Sequence, residues 1–167
     1  MAETITFSNL SITIEETTDS VTYSFKGDVD ENFRQVDVPR VQKTSIYMNL
    51  GEVENFNSVG IREWIHFVSD LRNLGKPILR ECSVPMIDQI NMVPESLGNG
   101  IVETFYAPYY CECGEEVNKL IVTDEWKDHL LKAIAPQFTC DSCGRSLEFD
   151  ALEESYFQFV SSISKVS

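Results

Sequence analysis

The order strand, polar loop, amphipathic helix, strand across residues 44–82 constrains this chain more than any other feature. Ser45-Ile46-Tyr47-Met48-Asn49-Leu50 is an apolar run of strand character, expected to pair over residues 44–50. From residue 59 to 74 the apolar residues Ile61, Trp64, Ile65, Val68 and Leu71 recur at offsets of 0, 3, 4, 7 and 10. That spacing lays them on one side of an α-helix, with Arg62, Glu63, His66, Ser69 and Asp70 on the other. Asn73 and Gly75 supply a C-terminal stop, and residues 77–82 read as a short strand. Two strands joined through a helix pair in parallel, and the helix must cover the sheet with a right-handed crossover.

The flanking residues extend this pattern. Leu10, Ile12 and Ile14 alternate with Ser11 and Thr13, so residues 5–15 read as one strand. Residues 21–25 alternate again after the turn-like Thr18-Asp19-Ser20, which predicts a hairpin. Asp30 or Asn32 can cap a short helix or turn through Phe33 and Val36, stopped at Val38-Pro39. Pro85 opens a second helix with Met86, Ile90, Val93 and Leu97 inward, and Pro94 interrupts it. Residues 101–106 form the fifth strand. The order β-β-(short α)-β-α-β-α-β predicts an α/β fold, a mixed sheet with helices packed on it.

After Tyr110 the character of the chain changes. Residues 1–109 are assigned to the α/β domain and 110–167 to a cysteine-bearing segment ending in a helix. Cys111-Glu112-Cys113-Gly114 and Cys140-Asp141-Ser142-Cys143-Gly144 are two close pairs, each followed by glycine. Such pairs converge on one tetrahedral metal, with zinc the expected ion. Four thiolates would close the site and make it structural. The competing reading is a disulfide or redox pair at Cys140 and Cys143. Cys82 lies in a strand and reads as a buried small hydrophobe. Between the pairs, residues 119–122 suggest a strand. A helix follows from Thr123 with Trp126, Leu130, Leu131 and Ile134 apolar. Asp150 and Glu153 make a capping-box-like start to the last helix, whose apolar face is Leu152, Tyr156, Phe159, Val160 and Ile163.

Charge narrows the function. Thirteen basic and 27 acidic residues give a formal charge of −14, which opposes nucleic acid and anionic membrane surfaces as partners. No apolar stretch approaches the roughly 20 residues of a membrane span. Met1-Ala2-Glu3-Thr4 offers no basic stretch leading into an apolar core, so a reducing, cytoplasmic location is expected. His66 and His129, the two histidines, belong to no nucleophile–base motif. A non-enzymatic role is expected.

Ser58 ends the strand-to-helix loop, where its hydroxyl can cap the helix or carry a phosphate at the positive end of the helix dipole. Two motifs around it resemble the STAS domain of anti-sigma-factor antagonists. Phe25-Lys26-Gly27-Asp28-Val29-Asp30 is similar to that family's F/L-x-G-x-L/V-D turn. Asn49-Leu50-Gly51-Glu52-Val53 followed by Phe56-Asn57-Ser58-Val59-Gly60-Ile61 is similar to its D-L-x-x-V-x-x-(I/M)-D-S-S-G-L segment. Asn57 stands where the family has an acidic residue, and Val59 where it has a second serine. The resemblance covers about residues 10–106 and implies a STAS-like fold. It places Ser58 at the serine phosphorylated by family kinases and Gly60 at the glycine that follows. It also implies a partner-switching module, docking a protein such as a serine kinase or anti-sigma factor through Asp28, Asp30, Asn57, Ser58 and Gly60. The C-terminal segment resembles a zinc ribbon in general form. The alternative is a structural or scaffold component of a larger assembly, in which Ser58 only caps its helix.

Overall fold

The computed structural model describes residues 2–164, with side chains for 2–161. A six-stranded mixed sheet runs in the order β1 (Ala2–Thr6), β2 (Leu10–Glu16), β3 (Ser20–Val29), β4 (Ser45–Phe56), β5 (Ile78–Arg80) and β6 (Ile101–Val102). The first three strands pair antiparallel, and β3 to β6 pair in parallel. Helix α1 (Ser58–Leu71) crosses from β4 to β5, and α2 (Val84–Met92) from β5 to β6. The expected α/β architecture, a mixed sheet with helices packed on it, is present.

Alternation explains which face is covered. Leu10, Ile12 and Ile14, then Val21, Tyr23 and Phe25, then Ile46, Met48 and Leu50 are buried, while Thr13, Thr22, Ser24, Tyr47 and Asn49 between them are only half-buried. The buried set joins Trp64, Phe67, Val68 and Leu71 of α1 in one core. Phe25 meets Trp64 edge-on with ring centroids 5.0 Å apart, and Phe67 packs on both Phe25 and Tyr23. The Trp64 Nε1–H donates to the buried Ser96 carbonyl at 2.8 Å. The buried side of α1 is therefore turned toward Phe67, and the expected inward residues Ile61 and Ile65 remain half-buried at its margin.

Several elements differ from expectation for local reasons. Residues 5–15 are not one strand, because Ser8 and Asn9 lie in a turn closed by Phe7 N–H to Leu10 C=O. The strand before it, β1, is an edge with no fully buried residue. Between β3 and β4 the only helical piece is a 3-10 turn at Gln35–Asp37; Phe33 is buried, whereas Val36 is 66% exposed. Pro94 ends α2 and starts a 3-10 turn at Pro94–Leu97, so the inward residues of α2 are Met86, Ile87, Gln89 and Ile90.

Residues 101–106 split between two sheets. After Val102 the chain enters β7 (Thr104–Tyr110), the centre of an antiparallel three-stranded sheet with β8 (Glu116–Val122) and β9 (Glu148–Phe149). The break is visible in burial, since Val102 and Phe105 are both buried three residues apart, out of strand phase. A parallel bridge between Cys82 and Phe105 joins the sheets. Helix α3 (Thr123–Leu131) follows β8 and buries Leu130, while Leu131 and Ile134 remain 41% and 47% exposed.

The last helix is two pieces, α4 (Glu153–Tyr156) and α5 (Gln158–Ser164). No side chain caps α4: its N-cap is Leu152, and the Glu153 carboxylate instead accepts the Ala135 N–H at 2.6 Å. Leu152 is 76% exposed, whereas Tyr156, Phe157, Phe159 and Val160 are buried around Phe105 and Phe149. The Ile163 side chain lies outside the described residues. No helix among the described residues is long and apolar enough to cross a membrane.

Candidate functional site

The candidate residues read from the sequence gather at two places in the fold. The first is the cysteine centre. Cys111 and Cys113 follow the end of β7, and Cys140 and Cys143 lie on the connection from α3 to β9. Their four sulfurs lie within 4.8 Å of one another, with Cys111 to Cys143 at 3.4 Å and Cys113 to Cys140 at 3.7 Å. A zinc–sulfur bond of about 2.3 Å puts tetrahedral sulfurs about 3.8 Å apart. The cluster therefore has the span and the donor set of a four-thiolate metal site, and it can hold a metal ion.

Local sequence builds both halves alike. The Cys111 N–H donates to Glu115 C=O at 2.8 Å, and the Cys140 N–H to Arg145 C=O at 2.7 Å. Each loop is closed again by its glycine, Gly114 N–H to Cys111 C=O and Gly144 N–H to Cys140 C=O, both at 2.9 Å. Those glycines take φ of +100° and +78°, the left-handed region in which a side chain is strained. The shorter Cys-x-Cys loop thus closes in the same way as the Cys-x-x-Cys loop, one residue earlier. Backbone N–H groups of Cys143 and Ser142 bond the Cys140 sulfur and push its thiol down, whereas burial and the neighbouring thiols push those of Cys111 and Cys113 up.

The two loops are also tied to each other. The Ser142 hydroxyl donates to the Glu115 carboxylate at 3.0 Å, and Arg145 pairs with Glu112 at 3.6 Å. Cys111 and Cys140 are buried, and Cys113 and Cys143 are exposed. Cys82 is fully buried in the core away from this cluster, and burial pushes its thiol far up.

The second place is the end of β3 together with the β4–α1 loop. Gly60 is required there: a Cβ on it would lie 1.8 Å from the Val29 carbonyl oxygen. The first turn of α1 thus rests directly on the last residue of β3. The N-cap of α1 is Asn57, whose Oδ1 accepts the Gly60 N–H at 2.9 Å, while its Nδ2 donates to Glu31. The expected hydroxyl cap at Ser58 is therefore corrected. The helix begins at Ser58 itself, which leaves the residue before it in the extended conformation that a cap needs.

Ser58 and Val59 are exposed, and the Ser58 hydroxyl has no hydrogen-bond partner among the described residues. Asp28 accepts from Asn55 Nδ2 at 3.0 Å. Asp30 accepts from Asn9 Nδ2 at 2.8 Å and from Asn32 N–H at 2.9 Å, and the Asn9 bond leads the effects that hold its carboxyl below the ordinary range. The five residues Asp28, Asp30, Asn57, Ser58 and Gly60 are thus gathered at one end of the sheet. The cap made by Asn57 was open to sequence reasoning, since asparagine is among the strongest N-cap residues.

His66 and His129 are exposed on α1 and α3 respectively, on separate elements. Compared with known proteins, the chain matches no family model and no curated sequence.

Proposed function

We propose that this protein is a non-enzymatic regulatory module of STAS type, which docks a protein partner through the loop around Ser58. The observation that carries this reading is a loop tethered to the sheet that leaves contact groups exposed. Gly60 seats the loop on Val29 and Asn57 ties it to Glu31, while Ser58 and Val59 stay exposed. A surface held in one conformation loses little entropy when a partner binds.

Phosphorylation of Ser58 is the proposed switch. A phosphate adds about −1.5 to −2 charge at the first residue of α1. The helix dipole stabilises it there, but Asp28, Asp30 and Glu31 already make this end acidic. A partner that accepts the unmodified loop would then meet concentrated negative charge and lose its contacts. A serine kinase or kinase-like anti-sigma factor is the class of partner this reading requires. The cysteine centre holds a structural zinc ion that fixes the end of the second sheet, as in a zinc ribbon.

The test is affinity capture from native cells with the unmodified chain and with Ser58→Asp, coupled to mass spectrometry of residue 58. The expected result is a partner held by the unmodified chain, released by Ser58→Asp, and a phosphate recovered on Ser58. Unchanged partner binding by Ser58→Asp with no phosphate recovered would replace the switch with a scaffold role.

A further inference from the structure

A groove of about 590 Å³ lies between the two sheets, over the second half of β4 and just past the carboxyl end of β5. Carboxyl ends of parallel strands are where open α/β sheets hold ligands, and the volume is that of a small-molecule site. Ser24, Asn49 and Gly51 belong to the sheet face that α1 leaves uncovered. Val84 and Pro85 at the start of α2, with the half-buried Tyr106 ring of β7, supply apolar wall. Gly51 keeps the groove narrow and open at once, since a Cβ there would stand 3.1 Å from the Glu81 carbonyl oxygen and 3.7 Å from the Tyr106 ring.

Three carboxylates from two separate segments line this groove, Glu52 and Glu54 from β4 and Glu81 from the β5–α2 connection. Their charge is nearly uncompensated. Glu52 pairs with Lys26 at 3.4 Å, but both side chains are about 70% exposed and water screens the pair. Among the described residues the Glu81 carboxylate meets only the neutral Tyr106 hydroxyl, at 3.5 Å. Glu54 has no hydrogen-bond or ion-pair partner among the described residues. Glu81 also has a positive φ, at +51°, one of two non-glycine residues that do among the described residues, and its N–H is held by the Thr104 hydroxyl at 2.7 Å. A bound anion would face all three carboxylates.

We infer that this groove binds a compact organic cation, an ammonium or guanidinium group on a short apolar body. The cationic group lies among Glu54, Glu81 and Glu52, and the apolar body lies against Val84, Pro85 and Tyr106. Amide and hydroxyl groups of Asn49, Ser24 and Asn118 complete the polar lining. The same chemistry is offered by a free diamine or guanidine and by an arginine side chain of a partner protein. This inference is independent of the Ser58 switch, which lies on the β4–α1 loop rather than in the groove.

The test is isothermal titration of the full-length protein, in about 150 mM salt, with agmatine, with the blocked peptide acetyl-Gly-Arg-Gly-amide, and with succinate as the anionic control. The expected result is saturable binding of agmatine or the peptide at one site, none of succinate, and about tenfold weaker binding in Glu81→Gln and in Glu54→Gln. Tighter binding of agmatine assigns the groove to a free metabolite, and tighter binding of the peptide to a partner's side chain. Amide chemical shifts that move at Asn49, Glu81, Ser83 and Tyr106 place the ligand; circular dichroism verifies that both variants are folded. The inference is overturned if neither cation binds, if succinate binds as well, or if folded Glu81→Gln and Glu54→Gln proteins bind like the parent.

Discussion

The Gly60 N–H donates to Asn57 Oδ1 at 2.9 Å, while the Gly60 Cα lies so near Val29 that any Cβ would overlap its carbonyl oxygen. The two residues therefore do different work three positions apart. Asn57 satisfies a free donor at the start of α1, and Gly60 lets the helix touch the sheet. Asn57→Ala should lower stability by about 1 kcal/mol, or roughly 3 °C in Tm. Gly60→Ala should cost about 3 kcal/mol or more, because backbone must move. Ser58→Ala should stay within about 0.5 kcal/mol of the parent. Thermal melts of the three variants check this ranking; a Ser58→Ala loss equal to that of Asn57→Ala would return the cap to the hydroxyl.

Metal content tests the cysteine centre. Protein prepared without added zinc should carry about one zinc per chain, and Cys111→Ser or Cys143→Ser should lose it. Cys82→Ala should keep it, because Cys82 is buried apart from the cluster. Chelation should expose the amides of Cys111, Gly114, Cys140 and Gly144 to hydrogen exchange, since the proposed metal would hold the loops that shelter them. The amide of Gly60 should remain protected. Full retention of protection after chelation, or metal-free protein with four reactive thiols, refutes a zinc centre.

Asp30 gives a pH dependence with a definite sign. Its bonds from Asn9 and from the Asn32 N–H favour the carboxylate and hold its pKa below the ordinary 3.8. The stabilisation is therefore complete above 3.8 and disappears as pH falls through the lower folded value. A carbon-13 titration of the Asp30 carboxyl should show a midpoint below 3.8. Asn9→Ala should move that midpoint up toward the ordinary value, since the Asn9 bond is the largest contributor to the depression.

Much of this architecture is legible in sequence where one side of an element is buried. The alternation in β2, β3 and β4 is sharp because each lies over the same core, and Trp64, Val68 and Leu71 mark α1. The phase of α1 is less legible: Phe67 replaces Ile61 and Ile65 as a centre of the buried side because the aromatic rings of Tyr23 and Phe25 gather around it. Strand β1 carries no pattern, since an exposed edge has no buried face to write one. The passage from β6 to β7 hides in a continuous apolar run, and only the odd spacing of Val102 and Phe105 betrays it. Among the site residues, the cysteine pairs announce themselves by spacing, whereas the groove draws on residues from Ser24 to Asn118 and has no local signature.

Trp64 is where packing and hydrogen bonding coincide. Its ring is fully buried against Phe25 and Phe56, and its Nε1–H is donated to Ser96 C=O on the 3-10 turn after Pro94. Trp64→Ala removes the whole contact and should cost about 3–5 kcal/mol. Trp64→Phe keeps an aromatic ring but leaves a void and a buried carbonyl without this donor, for about 2–3 kcal/mol. Urea unfolding should show both losses as a lower midpoint at constant slope. Trp64→Phe should also speed hydrogen exchange at the Gly98 amide, which closes that turn onto Glu95 C=O. An unchanged exchange rate there, together with a loss under about 1 kcal/mol, would mean that the indole hydrogen bond contributes nothing to anchoring the turn.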